Sequence, residues 1–233
     1  MCVEVEGRRP RRPLALSVFG KLWAVLLPRT LIVAAVAVST ATPSTIVREA
    51  VLRPAQVGKG FIAKPIRGGG KVQGEVTIDL CGFRFASEQR RRARLQLAYI
   101  RRDSNLAVSN EVVSYRAGGT ALALREIDRA VRTCPPREVP STVSGVPPLR
   151  YRFARLPTAG TGLLGGAIAL RITVTGTVNA KQLSETSFGI YQRYRNLLSG
   201  VYAYGGSLAE RRALAFNAAA ASARNLKRAA KGP

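Results

Sequence analysis

Apolar residues recur at every second position in several stretches of the chain, and this pattern is the strongest constraint on its fold. Side chains at alternate positions of a β-strand point to the same face of a sheet, so each stretch predicts a half-buried strand. Turn residues separate the stretches, as at Asp103-Ser104-Asn105 and Arg195-Asn196. The predicted strands are residues 75–80, 93–99, 106–115, 149–154, 168–174, 188–194 and 197–204, with helix as the alternative for the last two.

Two other stretches have a helical pattern. Thr120 is the predicted N-cap of the first helix, and Pro135-Pro136 ends it. Its apolar face repeats at spacings of three and four residues, at Leu124, Ile127, Val131 and Cys134. Ser207 and Glu210 form a capping-box pattern that begins a second, alanine-rich helix running toward Arg228. Strands and helices without regular βαβ alternation predict an α+β fold, an antiparallel sheet of hairpins packed with two main helices.

Residues 1–41 have the parts of a secretory signal peptide. A basic start precedes two apolar runs, Leu14–Leu27 and Leu31–Val38, and small residues follow at Ser39-Thr40-Ala41. The alternative is a membrane segment that associates with the membrane through residues 14–41. Charges interrupt every apolar stretch before it reaches about 18 residues, so cleavage is favoured. The remaining residues, 42–233, form the predicted ligand-binding domain.

Two cysteines remain in this domain, Cys81 at the end of a predicted strand and Cys134 at the end of a predicted helix. In an exported protein such a pair predicts a disulfide, which would stabilise the fold by about 4 kcal/mol in the chain-entropy model. Metal binding and a nucleophilic thiol are the alternatives. Both lack histidine partners, because the chain contains no histidine.

The absence of histidine also argues against catalysis, since imidazole is the usual acid–base group near neutral pH. Carboxylates that could form a glycosidase pair are Asp79, Glu88, Glu111 and Glu126. Arginines surround all four, which favours ion pairs over an acid–base role. The glycine motif at residues 160–165 precedes a predicted strand rather than a helix, so it predicts a hairpin loop and not a dinucleotide site. We therefore predict that the protein is not an enzyme and holds no cofactor.

The chain carries 37 Lys and Arg residues against 13 Asp and Glu residues, a net charge of +24. Removing residues 1–41 removes six basic and two acidic residues and leaves +20. An anionic envelope polymer or a membrane surface is the partner that this charge predicts, and a nucleic acid is disfavoured outside the cell. The candidate anion-binding face is Arg84, Arg90, Arg91, Arg92 and Arg94, with a solvated basic face as the alternative.

A more specific sequence pattern begins at Cys81 and ends at Cys134 and Pro135. It reads Cys81-Gly82-x-x-Phe85-x-Ser87-Glu88, then Arg91-x-Ala93-Arg94-Leu95-Gln96-x-x-Tyr99, then Val108-Ser109-Asn110-Glu111-Val112-Val113-x-Tyr115, and last Cys134-Pro135. This pattern resembles exported actinobacterial proteins related to the PknH-like extracellular sensor domain. The resemblance implies an α+β domain with a cleft, held by disulfides, that binds an unidentified extracellular ligand. The framework cysteines of that family would fall on Cys81 and Cys134.

These observations predict an exported, extracytoplasmic, non-enzymatic ligand-binding protein of the sensor type. The alternative is a basic cell-envelope protein that binds an anionic polymer or a membrane surface. Within the segment that carries the family resemblance, four polar residues at strand ends have either a structural role or a role in the implied ligand-binding cleft. They are Ser87, Glu88, Asn110 and Glu111.

Overall fold

The computed structural model describes residues 42–73, 80–142, 146–178 and 180–231. The predicted signal segment, residues 1–41, lies outside the described residues. The predicted strand at residues 75–80 lies outside them as well, except for Leu80.

Seven strands in the described part form one antiparallel sheet, in the order β1-β2-β3-β7-β6-β5-β4. The predicted hairpins are confirmed, and residues 188–204 are strands rather than a helix. Several strands extend beyond their predicted limits. The strands are β1 Phe61–Pro65, β2 Arg91–Arg101, β3 Ala107–Tyr115, β4 Arg150–Arg155, β5 Ile168–Val178, β6 Lys181–Tyr194 and β7 Leu197–Tyr204.

Helices cover both faces of this sheet, so the α+β prediction is confirmed. The helices are α1 Pro43–Ala50, α2 Pro54–Val57, α3 Gly119–Thr133 and α4 Leu208–Ala229, with a 3₁₀ helix at Ala86–Arg90. The two longest, α3 and α4, are the predicted ones. No helix among the described residues is both long enough and apolar enough to cross a membrane.

The core lies in two layers, one on each side of the sheet. On one face α3 packs through Ile127 against Leu170 and Tyr191 of the sheet. We call this the α3 face. On the other face α4 buries a row of alanines and Leu214 against Phe188 and neighbouring strand residues, and α1 packs beside it. Small side chains along α4 let the helix lie close to the strands, which explains its alanine-rich composition.

The two helix starts differ in their capping. Ser207 Oγ accepts a hydrogen bond from Glu210 N at 3.3 Å, and Glu210 Oε2 accepts one from Ser207 N at 3.0 Å, so the predicted capping box is confirmed. The predicted N-cap of α3 is wrong. Gly118 is the N-cap, with φ +74°, a left-handed conformation that glycine adopts without strain. The Thr120 hydroxyl instead donates to Arg195 O at 2.9 Å and joins α3 to the β6–β7 turn.

The segment at residues 42–58 contains α1 and α2, which the sequence patterns did not predict. Buried hydrogen bonds join it to the sheet and to α4. Leu52 N donates to Asn110 Oδ1 at 3.0 Å, the Tyr99 hydroxyl donates to Leu52 O, and Asn225 Nδ2 donates to Val51 O at 3.3 Å. The first described residues are therefore part of the domain core.

The outer strands of the described sheet are β1 and β4, each bonded to one neighbour in this part of the chain. They carry residues that are unusual in central strands. Lys64 and Pro65 lie in β1, while Arg150 and Arg152 are exposed on β4.

Candidate functional site

A groove of about 910 Å³ opens beside the helix α3 and the disulfide. One wall is the loop and 3₁₀ helix of residues 81–89, and the other is the segment of residues 135–142. Cys81 and Cys134 are bonded as predicted, with their Cα atoms 5.8 Å apart. The disulfide joins the starts of the two walls, so it holds together parts of the chain that are separated by 53 residues.

A tight turn shapes the base of the first wall. Cys81 has φ +60° and Gly82 has φ +66°, so two consecutive residues are left-handed. The turn is closed by a hydrogen bond from Phe83 N to Leu80 O at 3.0 Å. A Cβ atom at residue 82 would lie 2.3 Å from Pro140 O in the opposite wall, so only glycine permits this approach.

A carboxylate from α3 supports the 3₁₀ helix in the same wall. Glu126 Oε1 accepts from Ala86 N at 2.9 Å, and Glu126 Oε2 accepts from Ser87 N at 3.1 Å. The two amides belong to the first turn of the short helix, where backbone N–H groups lack helical partners. Glu126 therefore positions the wall.

The second wall is attached to the edge of the sheet by a pair of backbone bonds. Val139 N donates to Leu149 O at 2.9 Å, and Leu149 N donates to Val139 O at 3.0 Å. Together with the disulfide at Cys134, this bridge fixes the wall at two points. The groove is thus held by covalent and backbone contacts rather than by side-chain packing alone.

The lining of the groove combines aromatic, aliphatic and polar groups. The rings of Phe83 and Phe85 meet edge to face with centroids 5.1 Å apart, and Phe85 is the more deeply buried of the two. Arg84, between them in sequence, is exposed. The remaining lining residues include Gln73, Glu88, Gln89, Pro135, Val139, Pro140, Ser141 and Thr142.

Glu88 in the lining forms an ion pair with Arg91, whose side chain is buried behind the wall. Arg91 also hydrogen-bonds Tyr115 and donates to Val72 O at 3.2 Å. Burial, followed by the charge of Glu111, raises the pKa of Tyr115 well above its usual value, so this phenol stays neutral. The polar layer under the groove is therefore a structural network.

The predicted arginine face is divided by the fold. Arg91 and Arg94 are buried, with 3% and 5% of their surfaces exposed, whereas Arg84, Arg90 and Arg92 are exposed. A β-bulge is the reason. Arg91 pairs with Tyr115 and Ala93 with Ser114, so Arg92 is an extra residue that shifts the alternation. The five arginines do not share one exposed surface, and anion binding by the three exposed ones stays a prediction.

Arg94 forms a buried ion pair with Glu111, whose side chain is 1% exposed. Its guanidinium also donates to Gly68 O at 2.8 Å and to Gln96 Oε1 at 2.7 Å. These contacts attach the glycine-rich turn after β1 to the sheet.

The other predicted polar residues have structural partners. Asn110 is fully buried, and its Nδ2 donates to Ser199 Oγ at 3.0 Å and to Gly200 O at 3.1 Å. Of the four carboxylates considered for catalysis, Asp79 lies outside the described residues, and the other three have the contacts given above. Within the described ranges no three Cys, Asp or Glu side chains are grouped so as to hold a metal ion. The glycine motif at residues 160–165 lies in the loop before β5, as predicted.

The fold has a counterpart among solved structures. No family model matches the sequence, and no curated protein matches it. The crystal structure of the extracellular domain of PknH from Mycobacterium tuberculosis is similar, with a TM-score of 0.50 over 76% of this chain and 95% of that chain. The resemblance is one of fold. At 14% identity it confirms a distant structural relationship to that domain, and membership in a family of exported actinobacterial proteins stays a prediction.

The sequence analysis named candidate residues that lie on one wall of the groove and no candidate binding residue on the other. Arg84 and Glu88 are in the lining, and Cys81 and Cys134 join the walls. Residues 135–142 have no periodic pattern, and their one sequence signal is their position directly after a cysteine predicted to be bonded.

Proposed function

We propose that this protein is an exported, extracytoplasmic ligand-binding domain of the sensor type, and that its ligand lies in the groove between residues 81–89 and 135–142. The main support for this proposal is the size and the lining of the groove. Its volume of about 910 Å³ is within the range of small-molecule sites, roughly 300–1,000 Å³, and its lining combines aromatic rings with a few polar groups.

Two further observations support an extracytoplasmic site. The walls depend on a disulfide, and disulfides of this structural kind persist in oxidising compartments outside the cytoplasm. The fold is similar to that of a domain described as extracellular. The proposed role is binding rather than catalysis, because the chain has no histidine and the carboxylates at the groove are engaged in ion pairs or backbone contacts.

The lining indicates the chemistry of the ligand. Phe83 and Val139 offer apolar contact, and the Arg84 guanidinium offers a positive charge with several hydrogen-bond donors. A molecule with an apolar body and an anionic group fits these features.

A fluorescent anion with this chemistry, 1-anilinonaphthalene-8-sulfonate, tests the groove. We expect saturable binding at one site. Arg84→Gln removes a charge-assisted hydrogen bond and should weaken the binding about tenfold. Phe83→Ala removes an aromatic wall and should weaken it by a similar factor, again about tenfold. The measurement is a fluorescence titration at constant ionic strength.

The matched control is Arg102→Gln, which removes the same charge from an exposed turn between β2 and β3. It should leave the dissociation constant unchanged. Binding that does not saturate, or that is equal in the wild type and both groove variants, would contradict a ligand site in the groove.

Export has its own test, which is the N-terminus of the protein recovered from its natural host. We expect the protein outside the cytoplasm, with its first residue close to position 42, because small residues follow the apolar runs at 39–41. N-terminal sequencing of the fractions measures this. Recovery of a chain that keeps Met1 in the cytoplasmic fraction would overturn the extracytoplasmic part of the proposal.

A further inference from the structure

Five separate segments of the chain meet at one end of the sheet. Tyr115 N at the end of β3 donates to Asn196 O of the β6–β7 turn at 2.9 Å. Arg116 N donates to Arg90 O at 2.8 Å, and Arg195 Nη1 donates to Ala230 O at 2.7 Å. The start of β2, the end of β3, the β6–β7 turn and the C-terminus of α4 therefore form one continuous surface with the start of α3.

This surface, which we call the basic end, has a concentrated positive charge that the sequence does not reveal. Its exposed basic residues come from distant parts of the chain, and none forms a salt bridge with a carboxylate of the described residues. Glu88, which lies two residues before Arg90, is paired with the buried Arg91. The residues of the basic end are Arg90, Arg92, Arg116, Arg193, Arg195 and Lys231.

The opposite end of the sheet has a different charge pattern. Asp103 lies 3.6 Å from Arg101, and Glu185 lies 2.9 Å from Arg211, so carboxylates there offset part of the basic charge. Glu210 adds a third carboxylate, held by the Ser207 cap. The two ends of the sheet therefore differ in electrostatic potential, and the basic end is the stronger attractor for an anionic surface.

The described chain begins at this same basic end. Ile46 of α1 packs in one cluster with Tyr194 and Ala230, and the Arg195 guanidinium lies over the Tyr194 ring at 5.8 Å. In the sequence, residues 39–41 alone separate the apolar run Leu31–Val38 from Thr42.

We propose that the basic end is the surface on which the domain docks to an anionic lipid bilayer. Guanidinium and ammonium groups near a membrane surface are attracted to its anionic headgroups. A bilayer is favoured over a wall polymer because the sequence before the domain carries two apolar runs, Leu14–Leu27 and Leu31–Val38, which direct the protein to a membrane either as a signal peptide or as a membrane segment. The inference does not depend on a ligand in the groove, although Glu88 and Gln89 of the groove lining directly precede Arg90 of the basic end.

Amide hydrogen exchange on the full-length protein tests the surface whether or not the N-terminal segment inserts. The protein is mixed with vesicles of phosphatidylcholine, or of phosphatidylcholine with phosphatidylglycerol. We expect slower exchange at residues 115–119 and 194–198 with the anionic vesicles and no change with the neutral ones. High salt should remove the protection, because the attraction is electrostatic.

A triple variant measures how much the charges of the basic end contribute to membrane binding. Arg92→Gln, Arg116→Gln and Arg193→Gln together remove three charges from exposed side chains of the basic end. Each charge contributes about a fivefold preference for an anionic membrane, so the lipid concentration for half-maximal protection should rise roughly a hundredfold. The control variant is Lys59→Gln, Arg102→Gln and Lys181→Gln, which removes the same charge at the opposite end of the sheet. It should leave that concentration within a few-fold of the wild type.

Each alternative result overturns the proposal. Equal exchange with both vesicle types would show that lipid charge does not act on this surface. Protection at the β2–β3 turn, residues 102–106, would place the contact at the opposite end. Protection by soluble polyphosphate but not by anionic vesicles would assign the surface to a polymer partner. Equal effects of the two triple variants would show that the net charge of the protein, and not the basic end, determines the binding.

Discussion

Replacing Arg94 with methionine is expected to lower the free energy of unfolding by about 3–5 kcal/mol. The variant leaves the Glu111 carboxylate in the interior without its guanidinium, since the two side chains are only 3% and 1% exposed. It also removes the hydrogen bonds to Gly68 O and Gln96 Oε1 that hold the turn after β1. Denaturant unfolding at neutral pH, followed by circular dichroism, measures the change.

Two further variants separate charge from packing. Arg92→Met changes an exposed arginine two positions away and should alter stability by no more than about 0.5 kcal/mol. The double variant Arg94→Met with Glu111→Leu removes both charges and should recover much of the lost stability, because a buried pair replaced by apolar groups is often neutral. A single Arg94→Met variant as stable as the wild type would show that the pair is not buried in solution.

Loss of the disulfide is expected to have the second large effect. The double variant Cys81→Ser with Cys134→Ser should be less stable by about 4 kcal/mol, since the bond closes a loop across 53 residues. The starts of both groove walls are then no longer joined, so the affinity for the sulfonate probe should fall together with the stability. Denaturant unfolding and the fluorescence titration measure the two effects on the same samples.

Reduction of the wild type provides the comparison. Dithiothreitol should reproduce the loss of stability in the wild type and have no effect on the double variant. A wild-type midpoint that dithiothreitol leaves unchanged, together with a double variant as stable as the wild type, would mean that the loop is fixed by other contacts, such as the Val139–Leu149 bridge.

Local sequence patterns were sufficient for the strands β2 to β7 and for the two long helices. The hairpin of residues 93–115 follows from strict alternation around a turn cluster, and α4 follows from its Ser207 and Glu210 cap. These signals depend on residues that are close in sequence, where a single periodicity decides which face is buried. The pairing of Cys81 with Cys134 was predictable because the domain has no third cysteine.

Features that depend on distant contacts were not predictable. The helix α1 has only eight residues, and its position is set by Asn110 and Asn225, which bind the backbone that follows it. The strand β1 contains a lysine and a proline and lies at the edge of the described sheet, where strand propensity is weak. In both cases tertiary hydrogen bonds replace the missing local signal.

The arginine cluster shows how one inserted residue changes a functional prediction. Simple alternation places Arg92 and Arg94 on the same face, but the bulge sends Arg92 to solvent and Arg94 into the interior. The sequence gives no clear signal of this bulge, because the inserted residue is one arginine in the run Arg90-Arg91-Arg92 and not a glycine. The second wall of the groove, residues 135–142, could not be predicted for a related reason. Its position is set by tertiary contacts and not by a sequence pattern.

The arginines of β4 have a consequence for how copies of the protein behave toward one another. An outer strand presents unpaired backbone N–H and C=O groups, to which a strand from another molecule can add. Arg150 and Arg152 place two like charges along this edge, so a second copy approaching in register would bring its own guanidinium groups against them. Part of the large positive charge thus disfavours edge-to-edge pairing between two copies of this strand.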